Sequence, residues 1–179
     1  PESPSVTGES INIHWEPYEN KLMAVETGKA FKMYGDSTTL SGGLIYTPKG
    51  LGGWGKYIFS EAKLTSNAFD FKEKIVNADS ADFDLQSQGG ALDELAFKTK
   101  NVKANIDFTT KKANFVTNDS LSLVQLPKNM YVCYLTKFTW DLHTKQIALG
   151  DPKDLNTDKR DLHFYSVHPK QDTLNFLSP

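Results

Sequence analysis

Short stretches in which apolar and polar residues alternate recur along the chain. This is the period-two pattern that turns one side of a strand toward a core and the other toward water. Tyr57-Ile58-Phe59, Ser80-Ala81-Asp82-Phe83-Asp84-Leu85, Ala113-Asn114-Phe115-Val116 and His163-Phe164-Tyr165-Ser166-Val167 are short, rich in β-forming residues and predict strands. Gly42-Gly43, Gly52-Gly53, Asn118-Asp119, Pro127-Lys128-Asn129 and Gly150-Asp151-Pro152 supply turn geometry between such runs. Only Gln86 to Lys98 carries another period, with Ala91, Leu92, Leu95 and Ala96 at helical spacing. At most one short helix is expected there, near residues 88–98, limited on one side by Gly89-Gly90. The prediction is therefore an all-β chain, a single domain over residues 1–179.

A weak internal repeat refines this picture. A large apolar residue, two polar residues and Lys recur as Tyr18-Glu19-Asn20-Lys21, Phe71-Lys72-Glu73-Lys74, Phe108-Thr109-Thr110-Lys111 and Leu142-His143-Thr144-Lys145. Asp70, Asp107 and Asp141 precede the last three. Each copy reads as a corner: an apolar residue ends one strand, the polar pair is exposed, and the chain re-enters the next strand. Aligning Phe59–Asp79 with Phe97–Asp119 pairs Phe69-Asp70-Phe71 with Ile106-Asp107-Phe108. Stacked strand-turn-strand units forming an elongated jellyroll or β-solenoid would bury a core that no unit buries alone. Ordinary hairpins in one sandwich satisfy the same pattern.

Composition and charge mainly exclude. Hydrophobic residues make up 39% of the chain and charged residues 23%, too apolar for wholesale disorder. No apolar run approaches the roughly 20 residues of a membrane-spanning helix. Net charge is −2 with scattered Lys and Arg, so nothing marks a nucleic-acid surface. Cys133 is the single cysteine, which excludes an internal disulfide; its flanks Val132 and Tyr134 predict an inert, strand-borne thiol. The start at Pro1-Glu2-Ser3-Pro4 and the interrupted strand pattern at Asp172–Leu177 read as cut points within a longer protein, so export signals would lie elsewhere.

The stretch Lys63-Leu64-Thr65-Ser66-Asn67-Ala68-Phe69-Asp70-Phe71, followed by Val76-Asn77-Ala78-Asp79-Ser80-Ala81-Asp82-Phe83, resembles the repeats of the OstA/LptA-like β-jellyroll proteins of lipopolysaccharide transport. The likeness runs over about residues 57–150. It implies an open jellyroll in the periplasm or at the cell surface, non-catalytic, with an apolar interior that accepts lipid chains. The repeats here are longer than that family's, and the Gly- and Trp-containing stretch from Gly42 to Tyr57 has no counterpart in it.

Motifs that would point elsewhere fail on chemistry. Gly50-Leu51-Gly52-Gly53-Trp54-Gly55 spells a dinucleotide fingerprint, but the strand-like Lys56-Tyr57-Ile58-Phe59 follows where a helix must open, leaving a glycine-rich loop or bulge. Asp154, Asn156 and Asp158 alternate like the start of a calcium loop. Lys159 replaces its Gly and Tyr165 its bidentate Glu, so these three are weak metal candidates. Asp79, Asp82 and Asp84 read as a solvent-facing acidic edge. His14, His143, His163 and His168 form no ligand pair, and no nucleophile elbow occurs. No cofactor and no reaction is implied.

Trp54 has glycine on both sides, which predicts an exposed ring on a loop. With Tyr46 and Tyr57 it forms the expected ligand-binding set. Two functional expectations follow: a structural or transport module that binds lipid, or a carbohydrate- or protein-binding surface centred on Trp54. Open sheet edges would also permit self-association by strand addition.

Overall fold

The computed structural model describes residues 3–35, 37–87, 94–119, 122–150, 162–171 and 175–178. They form one antiparallel sheet of sixteen strands. The first eight are β1 (Val6–Thr7), β2 (Ile11–Glu16), β3 (Lys21–Glu26), β4 (Phe31–Met33), β5 (Thr38–Thr47), β6 (Gly50–Phe59), β7 (Ala62–Phe71) and β8 (Ile75–Gln86). The rest are β9 (Leu95–Asp107), β10 (Lys112–Thr117), β11 (Ser122–Leu126), β12 (Tyr131–Leu135), β13 (Lys137–Asp141), β14 (Ile147–Leu149), β15 (Leu162–Ser166) and β16 (Asn175–Ser178). Pro127–Asn129 forms a single 3-10 turn. The helix expected near residues 88–98 is not formed at 95–98, which opens β9 and pairs with β8; residues 88–93 lie outside the described residues. Cross-strand pairing of Phe97 with Leu85 wins over the helical spacing of a few apolar residues.

The long strands β5 to β9 form a meander that is the spine of the molecule. Both edges of this spine divide. Thr38–Leu40 of β5 pairs with β4, which carries β1, whereas Gly43–Tyr46 pairs with β3, which carries β2. Across the spine, Val102–Asp107 of β9 pairs with β10, which leads to β13 and β14, while Lys98 faces β11, which leads to β12, β15 and β16. One branch from each edge folds back over the apolar side of the spine. Trp140 of β13 meets Phe59 and Phe83 at centroid distances of 5.6 and 6.1 Å. Tyr34, just beyond β4, packs on Phe108 and donates its hydroxyl to the Lys72 and Ile75 carbonyls at 2.8 and 3.1 Å. The arrangement is jellyroll-like, a sheet closed in its middle by its own branches.

That middle is filled with aromatic rings. Phe83 stands 4.4 Å from Phe115 and 5.6 Å from Phe138, and Phe138 stacks on Phe115 and sits 4.7 Å from Phe97. Rings at these spacings are in contact with one another. These rings occupy the middle of the apolar interior that the family resemblance implies.

Gly42-Gly43 and Gly52-Gly53, read above as turns, lie inside β5 and β6. Gly42 faces Gly55 across the ladder, and both have positive φ, 149° and 124°. A β-carbon on either would come within 2.1 Å of the opposite backbone oxygen. The register toward β7 shifts between Gly53 and Gly55, where Trp54 faces both Asn67 and Ala68, so the bulge belongs to β7 and the glycine-rich stretch stays in strand. The glycines crease the spine where the edge of β5 changes partner from β4 to β3.

The four apolar-polar-polar-Lys corners are four hairpin turns: β2 to β3, β7 to β8, β9 to β10 and β13 to β14. The preceding Asp supplies the mechanism in two of them. Asp107 Oδ1 accepts from the Thr109 and Thr110 amides at 2.8 and 3.3 Å, and Asp141 Oδ1 from the His143 and Thr144 amides at 2.9 and 2.8 Å. Lys111 and Lys145 then close these turns in the left-handed region, at φ 58° and 61°. The Thr144 amide is the largest cause holding the Asp141 carboxyl below its ordinary range, against some desolvation.

Two outcomes test this account. Gly42→Ala combines a forbidden φ with a backbone collision, so it costs about 1–3 kcal/mol from strain alone and lowers the urea midpoint or prevents folding. Asp141→Ala lowers the melting temperature at neutral pH. The native pKa of Asp141 lies below its unfolded value, so the deficit is full above the ordinary aspartate range and closes as pH falls through the depressed native value. Melting curves of the two proteins from neutral to strongly acidic pH measure that convergence.

Candidate functional site

Strand register defines rows of residues that cross the sheet on one face, and one row of the core face changes character along its length. It runs from Trp15 through Leu22, Tyr46 and Leu51 to Phe71 and Val76. Trp15 and Tyr46 are 49% and 47% exposed, Leu51 8%, Phe71 2% and Val76 fully buried. All belong to the same side of the sheet; only the covering layer stops. The neighbouring positions of β2 extend the uncovered part, with Ile13 62% and Ile11 37% exposed. A β-carbon on Gly8 would touch both Ile11 and Phe31, so this stripe is continuous with the buried core.

Local sequence explains the hairpin that carries the stripe. Ile11-Asn12-Ile13-His14-Trp15-Glu16 alternates strictly, and the Pro17–Asn20 turn returns the chain with Asn20 at φ 51°. Glu16 and Lys21 pair at 2.7 Å beside the turn, and the hydrogen bond to Lys21 draws the Glu16 carboxyl below its ordinary range. Among the described residues β2 pairs with β3 alone, which leaves its other edge without a strand partner there. A strand with an uncovered apolar side and a free edge can take acyl chains on its face or another strand at its edge.

The structure separates the three residues of the expected ligand set. Tyr46 belongs to the uncovered row. Trp54 lies within β6 rather than on a loop, half-buried on the opposite side of the sheet, its indole over Gly43. Gly43 leaves the space the ring fills, and a β-carbon on the flanking Gly53 or Gly55 would strike the β5 backbone, which is why these glycines mark a strand and not a loop. Tyr57 is fully buried and donates its hydroxyl to Thr38 Oγ1 at 3.0 Å; burial raises its pKa. It is a core residue. Asp154, Asn156 and Asp158 lie outside the described residues.

Other candidates resolve into structure. Asp82 accepts from the Asn101 amide at 3.2 Å, Asp84 pairs with Lys63 at 2.8 Å and Asp79 with Lys103 at 3.1 Å. A cleft of about 620 Å³ opens where three hairpin turns meet, with Phe71 and Ile75 in its wall. Lys49, Lys72 and Lys74 line it against Asp70, Glu73 and Asp107, so it has no net preference for an anion. Among the described residues no group of three or more His, Cys, Asp or Glu is placed to hold a metal ion.

Ile11, Ile13 and Tyr46 acquire their exposure from tertiary structure, which residue pattern does not reveal. The signal present in the sequence was the alternation of β2, which marks an apolar side without saying what covers it.

No protein-family model matches the chain, and no curated protein matches it. A solved structure similar over its length is the crystal structure of LptH, the LptA homologous periplasmic component of the conserved lipopolysaccharide transport device from Pseudomonas aeruginosa. The match has 9% sequence identity, covers 99% of this chain and 96% of that one, and has a TM-score of 0.42.

Cys133 is fully buried on β12, and desolvation pushes its thiol up to about 11. Ellman's reagent at neutral pH is therefore expected to leave the native protein unmodified and to titrate one thiol per chain in denaturant. Fast labelling of the native protein would contradict this burial.

Proposed function

We propose that this chain is a non-catalytic, extracytoplasmic structural or transport module that binds the apolar chains of a lipid or glycolipid on the uncovered side of its N-terminal hairpin. The observation that carries the reading is the row Trp15, Leu22, Tyr46, Leu51, whose outer members are exposed although they continue the core side of the sheet. Burying one Ile side chain is worth about 1.5–3 kcal/mol, so covering Ile11, Ile13 and Trp15 supplies binding energy without a cavity. The OstA/LptA-like resemblance of the turn pattern agrees with this direction. The same free edge supports self-association by strand addition at β2.

Titration with a fluorescent fatty acid, dansyl-undecanoic acid, tests the reading. The native protein is expected to bind it saturably, and Ile13→Glu to weaken binding about tenfold or more, the loss of one buried side chain at 1.4 kcal/mol per tenfold. Val116→Glu, an exposed site on the other side of the sheet, serves as the control that leaves binding unchanged. Absence of saturable binding, or equal binding by Ile13→Glu, rejects the proposal. Sedimentation of the ligand-free protein over a concentration series reports strand addition, which the same variant weakens.

A further inference from the structure

A second row lies on the opposite side of the sheet and is polar from end to end. Register places Asp70 beside Asn77, Asn77 beside Asn105, Asn105 beside Asn114, and Asn114 beside Thr139, on five successive strands from β7 to β13. The side chains are bonded in two groups, Asp70–Asn77–Asn105 and Asn114–Thr139. Asn77 Nδ2 donates to Asp70 Oδ2 at 3.3 Å, Asn105 Nδ2 to Asn77 Oδ1 at 2.8 Å, and Thr139 Oγ1 to Asn114 Oδ1 at 3.0 Å. A carboxylate has acceptors and no donor, so Asp70 sets the direction in which the first two amides point. The Asn114 amide donates to no group among the described residues.

We infer that this row is a binding surface for an extended, uncharged glycan. An amide offers both donors and acceptors and so matches a ligand whose hydroxyls do both. The strands repeat at about 4.8 Å, close to the length of one pyranose unit, so successive rings of a linear chain lying across the strands would each meet one polar side chain. Charge argues for a neutral ligand. On one side of the row Asp79 is paired with Lys103 at 3.1 Å, and on the other Lys112 stands opposite both Asp107 and Asp141. Both flanks mix lysine with aspartate, so neither offers a polyanion a positive surface. Trp54 shares this side of the sheet, and Gly52, two residues before it, faces Asp70 at the head of the row. The indole of Trp54 lies against Gly43 and is only partly exposed, so it borders the row as an aromatic edge held by backbone. The inference is independent of lipid binding, which uses the other side of the sheet.

The test uses the full chain, labelled with nitrogen-15 and titrated with β-1,4-linked hexasaccharides of glucose, mannose and N-acetylglucosamine. At least one is expected to shift the Asn77, Asn105 and Asn114 side-chain amides and the Trp54 indole saturably, while hexagalacturonate binds no more tightly. Asn114→Ala is exposed and makes one bond in the row; it and Asn105→Ala are expected to weaken binding about tenfold, 1.4 kcal/mol, with unchanged backbone spectra. Ile13→Glu is expected to retain glycan binding. The inference is overturned by no saturable shift with any of the three sugars, by undiminished affinity in Asn114→Ala, or by tighter binding of the charged hexamer.

Discussion

Phe83 sits where rings from four strands converge, and its contacts with Phe97, Phe115, Phe138 and Trp140 join the two layers of the molecule. The constraint behind this cluster is geometric. A single sheet has one apolar side, and a meander such as β5 to β9 cannot cover its own. The chain resolves this by dividing each edge of the spine and sending one branch back over it. The crease at Gly42 and Gly55, the Tyr34 hydroxyl on the Lys72 and Ile75 carbonyls and the Lys145–Glu61 ion pair at 2.6 Å all serve that closure. The other two branches are left to extend the sheet, and the N-terminal one keeps its apolar side uncovered.

Much of the architecture was legible in the residues. Alternation located the strands around Phe59, Phe83, Phe115 and Phe164, and the apolar-polar-polar-Lys corners marked four real turns. The Asp before the corner holds the turn in two of them through its carboxylate, a role that spacing hinted at without explaining. Glycine misled at Gly42-Gly43 and Gly52-Gly53, because a residue without a β-carbon serves a close strand crossing as well as a turn. The same ambiguity misplaced Trp54. Periodicity also gave Leu95 and Ala96 to a helix, where pairing with β8 decides otherwise.

The candidate site was less legible, for a reason that is physical. Alternation in Ile11–Glu16 states that one side of β2 is apolar, but burial of that side depends on whether another layer reaches it. Tyr57 and Tyr46 look alike in sequence, and the register separates them: one lies beneath the covering branches and the other beyond them. The two sides of the sheet thus have different chemistry. The core side carries hydrocarbon that continues past its cover, and the outer side carries amides bonded across the strands.

The covering of the spine also has an order in time. Residues 38–107 supply every strand of the meander, but the rings that seal Phe83 come from β10 and β13, ending with Trp140. As the chain is synthesised from its N-terminus, the spine can pair its backbone well before its aromatic side is shielded. Until β10 to β13 have followed, that side remains in contact with water or with whatever apolar partner is at hand. The split edge that completes the fold therefore makes the growing chain most adhesive just before residue 140 emerges.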